Sequence, residues 1–175
     1  MRTIHVCSLA LLLTLITPAP SHAKVGSVWV DPGIKLGYTL GQGFTWGIEL
    51  STVFFPDTSA SNKRLLRDMS RIWGVVLNID HVWDGLTKIR LGGEWIGPGV
   101  GLEGGPTVIF DDAGTHLGIG LTPWFGFYTM PFYTYTFAFG RKNLHEAGTY
   151  LKVFKCVDVV PGACGDGDTN TSDLD

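Results

Sequence analysis

Charge is scarce in this 175-residue chain: Asp, Glu, Lys and Arg make up 17%, against 45% hydrophobic and 12% aromatic residues. That balance excludes a disordered polymer and makes one folded domain the natural expectation. Long apolar runs are also missing, apart from Leu9 to Ile16 near the N-terminus, which is too short to span a bilayer as a helix. Glycine is abundant, with 24 occurrences, but the Gly-X-Y period is absent, so no collagen is encoded. There is no basic surplus. The formal net charge is −3, and losing Arg2 with the leader described below would make it −4, which argues against a nucleic-acid partner.

Residues 1–23 read as a secretory signal peptide, with Arg2 ahead of the apolar core, Pro18 and Pro20 breaking it, and Ser21-His22-Ala23 as a small-residue cleavage site. Cys7 lies within this leader without a lipoprotein processing pattern. The exported remainder keeps Cys156 and Cys164, separated by Val-Asp-Val-Val-Pro-Gly-Ala. A local disulfide is the expected use of such a pair in an oxidising compartment, because two thiols without nearby His fall short of a zinc ligand set. The chain divides into the leader, a β-domain over 24–155 and an acidic tail over 156–175.

From Gly33 to Phe154 the hydropathy has a period of two, the mark of strands with two unlike faces. Eight runs are predicted: Gly33 to Leu40, Thr45 to Phe55, Ile72 to Trp83, Thr87 to Trp95, Gly99 to Phe110, His116 to Phe127, Phe132 to Phe139 and Glu146 to Phe154. Tight turns such as Gly41-Gln42-Gly43, Asp84-Gly85 and Asp112-Ala113-Gly114 join most of them, so an antiparallel meander is expected. Val25 to Val30 either lengthens the first strand or forms a ninth. Pro56 to Arg71 is the one long connection, and four basic residues lie within Lys63 to Arg71, suiting a solvated loop or a helix touching anionic headgroups.

Sorting the runs by parity separates an apolar, charge-free face from one of Gly, Thr and Ser. The second face carries all the strand charges, Lys35, Lys88, Arg90 and Lys152 against Glu49, Asp80, Glu94 and Glu103, in numbers that permit pairing in a poorly hydrated interior. An eight-stranded barrel encloses a lumen just wide enough for side chains. The Gly-rich face fits such a lumen and the face crowded with large apolar groups does not. Trp46, Phe54, Trp73, Trp83, Trp95, Phe110 and Phe127 fall near strand ends, where aromatic girdles form at membrane interfaces. The fold expected is an all-β, eight-stranded, antiparallel up-and-down barrel that crosses a membrane. The alternative is a soluble periplasmic or secreted lipocalin-like barrel whose apolar face binds an apolar ligand.

Gly-aromatic strands such as Leu36-Gly37-Tyr38 and Phe44-Thr45-Trp46-Gly47-Ile48-Glu49-Leu50 make the stretch from Gly33 to Phe154 resemble small outer-membrane β-barrel proteins of Gram-negative bacteria. Glu146 to Val153, with Gly148, Leu151 and Val153 at the signal positions, is similar to the final-strand pattern read by the barrel-assembly machinery. The resemblance implies an outer-membrane location, outer-membrane lipid and that machinery as partners, a monomer, and a structural, adhesive or envelope-interaction role. Two features depart from the family: about twenty residues follow Phe154, and a periplasmic N-terminus would place the long Pro56 to Arg71 loop on the periplasmic side.

No catalytic, cofactor or metal site is expected. His116 and His145 lie near strand ends with Asp84, Asp111 and Asp112, but Ser51 is the only serine within the strands, and the group reads as a solvated rim. His81 reads as an interfacial imidazole. Asp166-Gly-Asp168-Thr-Asn170 begins like a calcium loop without its closing bidentate acid, and Asn170-Thr171-Ser172 matters as a glycosylation acceptor only in a eukaryote. Paired lumen charges in so narrow a barrel act as a plug and disfavour bulk solute transport.

Overall fold

The computed structural model describes residues 25–56 and 72–158. Nine strands form one antiparallel sheet: β1 (Val25–Thr39), β2 (Gly43–Pro56), β3 (Ile72–Val82), β4 (Thr87–Gly97), β5 (Val100–Asp111), β6 (Gly114–Phe125), β7 (Thr129–Ala138), β8 (Leu144–Lys152) and β9 (Lys155–Asp158). Each strand from β2 to β8 pairs with the next, and β1 pairs with both β2 and β8, which closes the sheet into a barrel. No helix occurs among the described residues.

The barrel is eight-stranded because β9 continues β8. Gly33–Thr39 of β1 pairs with Glu146–Lys152, and Ser27–Val30 pairs with Lys155–Asp158 in the same register. The break lies opposite Pro32, which has no N–H to give the ladder, although its carbonyl still accepts from Val153 N at 3.0 Å. One alternative left open by the sequence is thereby resolved and one expectation corrected. Val25 to Val30 lengthens the first strand and adds no ninth stave, and the chain beyond Phe154 stays in the sheet as far as Asp158, so the tail does not begin at Cys156.

All four connections at one end, residues 40–42, 83–86, 112–113 and 139–143, are short turns. Gly85 and Gly114 adopt φ of 88° and 126°, which these turns require and a side chain would resist. The opposite end carries the start of β1, the end of β9 and the 57–71 connection. The leader, Lys63 to Arg71, Cys164 and the Asp166 to Asn170 segment lie outside the described residues.

Burial alternates along the strands, as in β3, where every second residue from Ile72 to Val82 is buried, with the large apolar side chains on the outside. Ile48, Leu91, Ile34 and Leu121 are about half exposed, whereas Lys35 and Glu103 are fully buried. This is a transmembrane-type barrel, apolar outside and polar within.

The β1–β8 seam depends on missing side chains. Gly37 and Gly148 face each other across it, and a Cβ on Gly148 would stand 2.2 Å from the Leu36 carbonyl oxygen and 2.6 Å from Gly37 Cα. Backbone on both sides cannot yield cheaply. Gly148→Ala is expected to cost about 1–3 kcal/mol and Gly148→Val to prevent closure, while Ala147→Val, next to it on the outer face, changes little. Urea unfolding of barrels refolded into detergent micelles, with no assembly machinery present, checks this; equal midpoints for all three variants would refute it.

Candidate functional site: the charged lumen

The candidate site is the lumen, filled in layers. At the short-turn end Val82, Leu86, Ile109, Ala138 and Leu144 form an apolar plug. At the other end Trp124, Met130, Phe132 and Tyr150 pack together, with Ile96 and Phe154 against them. Charged groups occupy the middle. The expectation of a uniformly small and polar inner face is thus corrected: the inward parity also carries apolar and aromatic groups near both mouths.

The eight charged residues singled out in the sequence, Lys35, Glu49, Asp80, Lys88, Arg90, Glu94, Glu103 and Lys152, are all buried in this lumen. They form two clusters. In the first, Lys35 Nζ lies 2.8 Å from Asp80 Oδ2 and 3.0 Å from Glu146 Oε1, and Lys88 Nζ lies 3.5 Å from Asp80 Oδ2 and also contacts Glu146. Cations and carboxylates alternate around this square, so its charges balance.

The second cluster centres on Lys152, whose ammonium contacts Glu49 and lies 3.3 Å from Glu94 Oε1 and 3.8 Å from Glu103 Oε1. Arg90 donates from Nη2 to Glu103 Oε2 at 2.7 Å and from Nη1 to Thr122 Oγ1 at 2.5 Å. With the Asn78 amide oriented by its surroundings, its oxygen accepts from Arg90 Nη2 at 2.9 Å and its nitrogen donates to Glu49 Oε2 at 3.1 Å. One neutral side chain therefore joins a cation to a carboxylate. Carboxylate oxygens of Glu49, Glu94 and Glu103 lie within 4.8 Å of one another, a spacing that suits a cation, and the Lys152 ammonium already serves there.

Tyr150 stands between the clusters. Lys35 Nζ is 5.7 Å and Lys152 Nζ 5.1 Å from its ring centroid, and its hydroxyl donates to Glu103 Oε2 at 3.4 Å. Lys35 also lies 4.7 Å over the Phe132 ring. Aromatic faces thus take up the sides of the ammonium groups that no carboxylate meets.

Two acids of the lumen escaped sequence reasoning. Glu146 completes the first cluster, and Asp31, 3% exposed, lies nearer the terminal end. The equal count of four charges of each sign is therefore corrected to four cations and six carboxylates among the described residues. Their inward parity was the available signal, but Glu146 opened a run read as an assembly signal and Asp31 preceded the run taken to start at Gly33.

Six of the seven girdle candidates, Trp46, Trp73, Trp83, Trp95, Phe110 and Phe127, are between 39% and 79% exposed, and Phe54 is half-buried. Trp46, Trp83 and Phe110 lie toward the short-turn end. Phe54, Trp73, Trp95 and Phe127 lie toward the termini, where the Phe54 and Trp73 rings are 4.6 Å apart and Trp73 pairs with Trp95 across the strands. Trp73 and Trp83 are ten positions apart. At about 3.4 Å per residue and a tilt of about 40°, they stand roughly 26 Å apart along the axis, close to the height of a lipid-facing band.

The remaining candidates are placed as follows. His116 Nε2 is 3.5 Å from Asp111 Oδ1, and Arg141 contacts the same carboxylate. His145 Nδ1 meets the Tyr133 hydroxyl at 2.5 Å and its ring lies against Tyr135. The two histidines thus have separate partners, and neither joins Ser51, which is buried inside the barrel. His81 lies against Trp46 and meets Thr87 Oγ1 at 3.1 Å. Leu151 and Val153 point outward, whereas Gly148 is at the inner seam. Cys156, on β9, is disulfide-bonded, and Cys164 lies outside the described residues.

No family model and no curated protein matches the chain. A solved structure described as "De novo design of transmembrane beta-barrels" is similar at a TM-score of 0.40 and 12% identity, over 74% of this chain and 98% of that one. No bacterial outer-membrane family is identified.

Removing Lys152 would leave three glutamates facing one another without their shared cation, whereas neutralising one glutamate leaves that cation with others. Lys152→Met is expected to destabilise the barrel by about 3–5 kcal/mol, because uncompensated buried charges remain; Glu94→Gln should cost much less. Denaturant titration of the two refolded variants measures the difference, and a larger loss for Glu94→Gln would contradict this arrangement.

Proposed function

We propose that this chain is an outer-membrane β-barrel with a plugged, charge-paired lumen and a structural or envelope-interaction role. The observation that carries the reading is the outer face: a continuous belt of half-exposed Leu, Ile, Val and aromatic side chains, of which Leu36, Ile48, Leu50, Leu91, Leu102 and Leu121 are examples, surrounds the barrel. A soluble monomer rarely exposes a contiguous apolar patch beyond a few hundred Å². Lipid is the partner such a belt fits, and the roughly 26 Å between Trp73 and Trp83 suits a hydrocarbon layer.

Several finer points belong to the same proposal. The signal-like leader and the final-strand pattern around Gly148, Leu151 and Val153 support export and delivery by the barrel-assembly machinery. The plug and the ion clusters support a monomer that is no porin. An adhesive role is less well supported than an envelope role, because the four connections at the short-turn end offer little surface for recognition. A non-enzymatic role rests on the separate partners of His116 and His145 and on the burial of Ser51 inside the barrel, apart from both. The alternative of a soluble barrel with an apolar interior conflicts with the outward direction of Trp46, Trp73 and Trp95.

The test has two parts. Cell fractionation, carbonate extraction and heat-modifiable gel mobility should find the mature protein in the outer membrane as a folded barrel. Leu91→Arg, near the middle of the outer face, should then cost about 2–4 kcal/mol in lipid vesicles, while Phe110→Arg near a rim should cost about 0–1 kcal/mol. Recovery from the soluble periplasm, with Leu91→Arg as stable as the parent, would overturn the proposal.

A further inference from the structure

A cavity of about 290 Å³ opens inside the terminal end of the barrel. Its walls are apolar, with Trp29, Phe55, Trp124, Tyr128 and Phe154 among them, and Asp31 is the one carboxylate among the described residues that line it. Two buried polar atoms of this lining have no hydrogen-bond partner, Asp31 Oδ1 and the indole Nε1 of Trp124. Asp31 is 3% and Trp124 5% exposed, so these two atoms have left bulk water without a hydrogen-bond partner in its place. An unmatched acceptor and donor in an apolar chamber are the polar fixtures that orient a small ligand.

Charge decides which ligand. The cluster toward the short turns is neutral, with Lys35 and Lys88 against Asp80 and Glu146. Toward the cavity, Asp31, Glu49, Glu94 and Glu103 face only Lys152 and Arg90, a surplus of two carboxylates among the described residues. Lys152 is engaged by Glu49, Glu94 and Glu103, with its ammonium 5.4 Å over the inward-facing Trp124 ring. The cavity therefore adjoins a surplus of carboxyl groups, and its aromatic faces also favour a cation.

We propose that this cavity binds a small amphiphilic organic cation, an amine with an apolar body, whose ammonium donates to Asp31 and whose body packs against the aromatic walls. A cavity of about 150 Å³ accommodates benzene. One of about 290 Å³ suits a ligand of about ten non-hydrogen atoms. The inference does not rest on the membrane reading, since the chamber lies inside the barrel whatever surrounds it.

The probe is 2-phenylethylamine, protonated at neutral pH, compared with the isosteric 2-phenylethanol and with the anion phenylacetate. Titrations into the ¹⁵N-labelled full-length barrel follow the Trp124 indole cross-peak, identified by its loss in Trp124→Phe, with heat-modifiable mobility confirming that each variant is folded. The amine should shift this peak saturably and bind about tenfold more tightly than the alcohol. Asp31→Asn should reduce the amine to the level of the alcohol, and Met130→Trp, which fills the chamber while keeping Asp31, should abolish the shift. Should Asp31→Asn not fold, the three compounds on the parent protein still decide. Equal binding of amine and alcohol, tighter binding of phenylacetate, non-saturable partitioning, or an unchanged amine affinity in folded Asp31→Asn would each overturn the proposal.

Discussion

Among the described residues, ten acidic and basic side chains share the inside of one eight-stranded cylinder, and water cannot reach them in the amount needed to solvate ten separate charges. Each must meet a charge of opposite sign, an aromatic face or a neutral hydrogen-bonding group. Lys35 meets Asp80, Glu146 and Phe132, while Arg90 meets Glu103, Thr122 and Asn78. These contacts join residues from β1, β3, β4, β5, β6, β7 and β8, so they can form only when the sheet is closed and every register is correct. A shift of one residue in a strand that carries these charges would turn them outward onto the apolar face.

The glycines of the inner parity follow from the same constraint. Long charged side chains and the Tyr150 ring occupy the centre, and some opposing positions must therefore be bare. Gly120 is an example: a Cβ there would meet Arg90 Cδ at 3.0 Å. Gly148 serves the seam in the same way, which gives a packing reason for a glycine that also matches an assembly pattern. The apolar plug at one end and the aromatic packing at the other keep the ion clusters dry, and this strengthens every pairing within.

Much of this was legible in the sequence because a period of two needs only parity to sort it. The apolar runs of β3, β5 and β6 and the turn glycines Gly85 and Gly114 fixed strand number, direction and face. What parity could not supply was depth along the axis. Trp124, Phe132 and Tyr150 have the inward parity, yet nothing local says that the inner layer changes from ionic to aromatic near the terminal mouth. β9 was hidden for a different reason: Pro32 interrupts the ladder opposite Val153, and Lys155-Cys156 looks polar enough to have left the sheet. Asp31 lay before the assumed first strand, so the acidic surplus beside the cavity was invisible until β1 extended back to Val25.

The inside-out partition of side chains can be measured with single-tryptophan variants, one keeping Trp95 and one keeping Trp124, folded into vesicles whose lipids carry bromine at defined acyl depths. An outward Trp95 and an inward Trp124 predict strong quenching of the first and little of the second. Strong quenching of Trp124 with Trp95 unaffected would show the opposite face toward the lipid and contradict the arrangement on which the rest depends.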